Sequence, residues 1–373
     1  MRDTMGIIYT GDNNASLREL TLHRSVAALP FGGRYRVIDF TLSNMVNSGI
    51  INVGLITQNN YHSLMDHLDS GKQWNLDRKA GGLCILPPYV SSDNTGWYRG
   101  EVEAFHSNMN YFRKSPQNYV IISGSSMVCN LTYYDAMEFH KNNNADITII
   151  YKEEKKLTKE VLSKHTLIRT DDQSRVWDIE MKPSATNSDK VSMEMYILEK
   201  RLFEYLVEEC IARGQYDFIK DILIKNKDKL KILGYPYTGY LAKIASIQSY
   251  FKHNMELLNP EYFFELFHHY GPIYTKVKDE VPAKYGDNAK AENSLVADGC
   301  IIEGQVENSV IFRGVMIAKG AVVKNSIVMQ DTEVQEKAVI ENVILDKEVF
   351  VRKGKHLIGQ ESYPIVIRKR VVI

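Results

Sequence analysis

From Val310 an apolar residue recurs every six positions, at Val310, Met316, Val322, Val328, Val334 and Ile340. A second track at Val339, Leu345 and Val351 keeps the same step, and Val296 to Ile302 opens the series. Gly304, Gly314, Gly320 and Ala338 fall between, small enough for tight corners. A six-residue period matches neither the helical turn nor the two-residue alternation of an ordinary strand. It marks a parallel β-helix of the hexapeptide type, in which each hexad forms one flat face and turns its apolar residue into a narrow prism. An antiparallel sandwich would need this spacing to arise by accident. A charge replacing Val322 or Val334 is therefore expected to enter a dry stack. The solenoid's ends favour subunit contacts, because they leave backbone edges uncovered.

Ahead of the solenoid, residues 5 to about 255 alternate short apolar runs with helical patterns, the signature of a mostly parallel sheet covered by helices. The runs predict strands at Met5 to Tyr9, Asn52 to Thr57, Tyr119 to Ser123, Asp146 to Tyr151 and Lys231 to Gly234. Helices are expected at Asn60 to Leu68, Glu103 to Lys114, Tyr133 to Asn143, Lys200 to Arg213, Phe218 to Lys225 and Ile244 to Leu257. A β-rich insert fills Lys164 to Leu198. From Asn259 to Ala291 the rhythm is lost and Pro260, Pro272 and Pro282 appear, which reads as an irregular connection. The expected division is 1–255, a connector at 256–292, and the solenoid at 293–373.

Lys plus Arg equals Asp plus Glu at 46 each, so no overall field recruits nucleic acid or an anionic membrane, and any anion site must be local. Cys84, Cys129, Cys210 and Cys300 lie far apart with no metal spacing, and read as buried free thiols. No apolar run approaches the ~20 residues needed to span a bilayer, and the first apolar run is too short for a signal segment. The expected compartment is the cytoplasm.

The run Pro30 to Asn44, with Phe31, Gly32, Gly33, Tyr35, Arg36, Ile38, Asp39, Phe40, Leu42 and Ser43 in order, stands ahead of this solenoid. Together the two resemble the bacterial glucose-1-phosphate adenylyltransferases (ADP-glucose pyrophosphorylases). The likeness extends through Leu55 to Gln58, Trp74 to Asp77, Gly82 to Pro88, Trp97 to Gly100, Glu180 to Pro183, Asp217–Phe218 and Tyr237 to Tyr240. It implies a Rossmann-like, glycosyltransferase-A-like nucleotidyltransferase domain with a mixed sheet, followed by a left-handed parallel β-helix. It implies Gly11, Gln58, Gly100, Lys182 and Ser192 as the lining of a substrate pocket.

Against the family pattern, the phosphate loop G-G-x-G-x-R-L retains Gly11 and Leu17 here, with Asp12 and Asn14 at glycine positions and Ser16 at the arginine. The lysine of A-K-P-A is Val26. Family members hold Mg²⁺ with two aspartates, and those positions carry Ser125 and Lys243. A hydroxyl is a feeble ligand for Mg²⁺ and an ammonium repels it. Glu194 stands at the glycine of S-M-G, and Glu101 and Glu103 enter the loop after Gly100. No metal or cofactor is expected, and no catalytic residue is assigned. The resemblance is strongest to the D-type (GlgD-like) non-catalytic subunit of that family. It implies little or no activity alone and a catalytic partner subunit, with a heterotetramer the expected assembly. The alternative reading is an active adenylyltransferase with an altered loop. A hexapeptide acyltransferase is disfavoured, because Val296 to Gly354 contains no histidine.

The family also binds phosphorylated regulators between its two domains. The resemblance therefore implies an effector site for a sugar phosphate or nucleotide at His23, Arg24, Arg36, Arg368 and Arg370, where guanidinium groups would hold phosphate bidentately. Asp39 is expected to cap a helix start rather than do chemistry. His268 and His269 diverge on a helix and lack a third ligand nearby, so they are expected to be structural or exposed. Trp97 and Tyr98 read as packing aromatics.

Overall fold

The computed structural model of the chain describes residues 1–11, 15–88, 97–154 and 157–373. The first domain is built on a nine-stranded mixed sheet. Its parallel half comprises β1 (Thr4–Tyr9), β2 (Asn52–Ile56), β3 (Gly82–Leu86) and β4 (Tyr119–Gly124), with β1 between β2 and β4 and β3 outside β2. Past the two-residue strand β5 (Met127–Val128) come β6 (Ile147–Glu153), β7 (Thr166–Thr170), β8 (Val176–Met181), β9 (Lys190–Glu199) and β10 (Ile232–Tyr237). Strand β9 runs antiparallel to β4, β6 and β7, and so joins the insert to the parallel half. A short strand, β11 (Ala242–Lys243), pairs with β5 beside the sheet.

Helices cover both faces, which is why β1 is buried along its whole length and reads as a continuous apolar run. Helix α1 (Val37–Asn47) starts as expected on Asp39, whose Oδ2 accepts the Arg36 N–H at 2.9 Å. Next come α2 (His62–Leu68), then α3 (Glu101–Ser107) and α4 (Met109–Lys114). The sequence suggested one helix for that last pair; the break falls at Asn108, whose Nδ2 bonds back to the Ala104 carbonyl at 2.8 Å. They are followed by α5 (Tyr134–Asn142), α6 (Lys200–Ala212), a π-helical turn at Phe218–Ile224, α7 (Ile247–Glu256) and α8 (Pro260–His268). Helix α7 opens with a Ser246–Ser249 capping box, and α8 with Pro260 in its first turn. Among the described residues, no helix is long and apolar enough to cross a membrane.

The C-terminal region is a three-sided parallel β-helix of the left-handed hexapeptide type, formed from three five-stranded sheets. Its first strand, Lys284–Tyr285, lies within the stretch read from sequence as connector. Strict six-residue spacing misassigns part of the interior. Strand partners at the first turn, such as Ile301 and Met316, are 15 positions apart, but from there partners such as Met316 and Glu333, or Val322 and Val339, are 17 apart, so these central coils have two six-residue sides and one of five. The five-residue side between Val323 and Val328 shifts the count by one. Met316 is 44% exposed and Val322 half-buried, while Ile317 and Val323 fill the prism; from Val328 the predicted track points inward, at Val334 and Ile340.

The two domains share an apolar core. Val310, Ile327 and Ile344, stacked on one outer face of the solenoid, pack with Phe31, Phe40, Tyr250 and Phe267 of the first domain. The hairpin after Leu29 is the hub of this contact. Tyr250 Oη donates to the Pro30 carbonyl at 2.7 Å, and the Gly32 N–H donates to Asn254 Oδ1 at 3.0 Å.

Candidate functional site

A cleft of about 690 Å³ opens around the C-terminal ends of β1 and β4, where ligands bind in open α/β sheets. Gly11, Gln58, Gly100 and Lys182 line it; Ser192 is fully buried in β9 and lies outside that lining. Of the altered loop, Asp12 and Asn14 lie outside the described residues. A Cβ on Gly11 would come within 2.1 Å of Tyr9 Oη, so glycine there makes room for the tyrosine. Tyr9 Oη in turn donates to Gln58 Oε1 at 3.1 Å, and Gln58 Nε2 donates to the Tyr98 carbonyl at 3.1 Å. Gln58 thus has both ends committed within the protein. Gly100 is also set by packing, since a Cβ would meet the Tyr216 carbonyl at 2.2 Å.

The positions implicated in catalysis by the resemblance lie in very different surroundings. Ser16 is exposed on the rim, and Val26 is buried in the interdomain apolar core. Ser125 is fully buried behind the lining. Lys243, on β11, is 9% exposed; its Nζ donates to Glu194 Oε1 at 2.6 Å and to the Lys164 carbonyl at 2.9 Å. Burial alone would push the Glu194 carboxyl up, yet the charge and hydrogen bond of Lys243 hold it below the usual carboxylate range. Glu194 also adopts φ 55°, a left-handed conformation that costs a non-glycine residue on the order of 1 kcal/mol.

The rest of the lining is mixed, with Arg99, Lys164 and Lys182 beside the carboxyl groups of Glu101 and Asp217. Burial pushes the Glu101 carboxyl above its ordinary range, with the Asp217 and Glu194 carboxylates adding to the effect. Asp217 accepts the Lys220 N–H at 2.7 Å, and Glu103 turns outward to bond Arg99. Among the described residues, no group of three His, Cys, Asp or Glu side chains could hold a metal ion. Magnesium demands near-ideal octahedral oxygen ligation, and here the nearest carboxylate is taken by an ammonium, so the residues present do not fit that ion. His268 stacks on Phe264, and all four cysteines are free. Trp97 is exposed and Tyr98 buried.

The expected effector residues separate. Arg24 is 4% exposed, and its Nη2 donates to both carboxylate oxygens of Asp346 of the solenoid at 2.8 Å. It bridges the two domains and does not line the pocket between them. Arg36 does line an interdomain pocket of about 300 Å³, donating to Ser63 Oγ at 2.9 Å. His23, Arg368 and Arg370 do not line it, and Arg370 pairs with Glu348. Arg34 and Lys369, neighbours of the expected residues, line it too, and sequence reasoning missed the other cations there: Lys276, Lys278, Arg313 and Lys347. Lys347 follows Asp346 on a coil corner, and only the folded solenoid brings it to Arg36. Burial, reinforced by the Arg36 and Arg24 charges, pushes the Lys347 ammonium down to about 7. Asp66, Asp331 and Glu348 share the pocket, and His67 bonds Asp39 Oδ1 at 2.5 Å at its edge.

Comparison with known proteins agrees with this geometry. Residues 5–259 match the nucleotidyl transferase family, and residues 279–363 match the family described as GlmU-like, C-terminal hexapeptide. The chain is 38% identical to the glycogen biosynthesis protein GlgD of Bacillus subtilis over 369 residues, 99% of this chain and 96% of that protein. It is 37% identical to a glucose-1-phosphate adenylyltransferase of Pseudothermotoga lettingae over 87% of this chain and 77% of the relative. With the corresponding protein of Geobacillus stearothermophilus the identity is 34%, covering 86% of this chain and 82% of the relative.

Proposed function

Because this chain belongs to the glucose-1-phosphate adenylyltransferase family, we propose that it serves glycogen biosynthesis as a regulatory subunit with a silent transfer site. In this reading it modulates a catalytic homologue that makes ADP-glucose from ATP and glucose 1-phosphate. The single observation that carries the reading is the Lys243–Glu194 pair, an internal salt bridge at a metal-aspartate position and a glycine position of the family.

The physical argument is one of missing charge. Phosphoryl transfer depends on positioning and on cations that stabilise the oxygens of the transferring group. Here Ser16 and Val26 stand at the two cationic positions, and the Lys243 ammonium is already neutralised by Glu194. Glu101 and Asp217 add negative charge to the same floor. Lys182, Lys164 and Arg99 also line the cleft, but a triphosphate brought beside the Glu194, Glu101 or Asp217 carboxylate would meet like charge, which costs roughly 4 kcal/mol at about 4 Å and an effective dielectric near 20.

Regulation would then act through assembly and through the pocket between the domains. A catalytic subunit is the expected partner, in a heterotetramer. The pocket around Arg36, Lys347 and Lys369 suits a sugar-phosphate or nucleotide effector. The test is co-expression with a catalytic homologue: the reading expects a mixed oligomer with changed kcat, KM or effector response. Two separate species on sizing, with unchanged kinetics, would refute it.

A further inference from the structure

We infer that the Glu194–Lys243 pair is an internal strap that holds the cleft in one ligand-independent arrangement. This goes beyond a silent site, because silence requires only that the metal ligands be gone. A strap requires that the replacements bond to one another.

One ammonium gathers three segments remote in sequence. Lys243 comes from β11, Glu194 from β9, and the Lys164 carbonyl from the insert ahead of β7. Two of the three ammonium donors are directed at those oxygens. In a site that binds a cation, the ion draws such segments together when it arrives; here the link is built into the chain. Lys243 is 9% and Glu194 22% exposed, so solvent screens the pair less than a surface bridge.

The backbone is arranged around the carboxylate. The register of β9 against β6 shifts between Ser192 and Met195, and a bulge of this kind re-aims a side chain. Glu194 lies inside it, and its N–H donates to Ser192 Oγ at 3.2 Å, fixing the local turn. The end of β4 supplies the space: a Cβ on Gly124 would sit 3.1 Å from Glu194 Oε2. The left-handed backbone at Glu194 is one that glycine adopts without strain, so a glutamate there is explained by what its carboxylate reaches.

Hydrogen exchange on the full chain tests this without any partner or substrate. In the wild type, amides at 163–168 and 192–196 should exchange equally slowly with EDTA, with Mg²⁺ and with Mg²⁺-ATP. Lys243→Met should speed exchange at 163–168 by about tenfold while leaving β1 and the solenoid unchanged, and Lys243→Arg should retain protection. Glu194→Gly removes the carboxylate and relieves the backbone, so it should give the same local loosening; it also serves if Lys243→Met does not fold. The strap is overturned if Glu194→Gly leaves exchange within about twofold of wild type, or if protection appears only with Mg²⁺-ATP. Turnover plays no part in this readout, so the strap and the silent-site reading can fail separately.

Discussion

Replacing Arg24 by Met should destabilise the whole molecule rather than merely weaken an anion site. Arg24 and Asp346 are 4% and 2% exposed and share two hydrogen bonds of 2.8 Å across the domain interface. Removing one member of a buried pair leaves the other charged and unpaired, a cost of about 3–5 kcal/mol. At about 2.1 cal/mol/K of unfolding entropy per residue, the 373 residues give roughly 0.8 kcal/mol per degree, so Tm should fall by about 4–6 °C. The double variant Arg24→Met with Asp346→Leu should recover more than half of that loss, because it leaves no orphaned charge. Thermal melts of the four proteins form the cycle. If Arg24→Met melts within about 1 °C of wild type yet no longer binds sulfate, Arg24 is an anion ligand and the bridging role is wrong.

The coil geometry makes a paired prediction: Val334→Lys should cost roughly 4 kcal/mol in urea unfolding, and Val322→Lys less than about 1 kcal/mol, since only Val334 is fully inside the prism. Equal costs would contradict the 17-residue coil. At the interdomain pocket, Lys347 sits near 7 and is largely neutral above that pH, while an entering dianion favours its charged form. Sulfate, which stays doubly charged throughout, should therefore bind about tenfold more weakly at pH 8 than at pH 6, with Lys347→Gln flattening the slope in calorimetry. Ser125→Asp combined with Lys243→Asp should make Tm rise with added Mg²⁺, while transfer activity stays low because Ser16 and Val26 remain. An Mg²⁺-independent Tm in that variant would mean that the two positions do not face one ion.

The apolar rhythms make the architecture readable from the sequence. Strands from Thr4 to Tyr9 and from Asn52 to Ile56 fall where continuous apolar runs demanded them, because both faces of that sheet are covered. The solenoid is legible from its period, but a five-residue side leaves no mark that a six-step count detects, so that count puts Met316 and Val322 on the wrong face. At the site, Glu194 and Lys243 each read as a lost family residue. Their bond spans 49 positions and depends on a bulge and on the fold of β11, neither of which has a sequence signal. Arg24 shows the converse: the family resemblance implies an anion site there, and its carboxylate partner 322 positions away appears only on folding.

The most direct test of the central claim is turnover of the purified chain alone with Mg²⁺-ATP and glucose 1-phosphate, beside a catalytic relative under the same conditions. An internal salt bridge where the resemblance implies a metal-binding aspartate predicts no ADP-glucose above background from this chain and ordinary turnover from the relative. Turnover comparable to that of the relative would contradict the account.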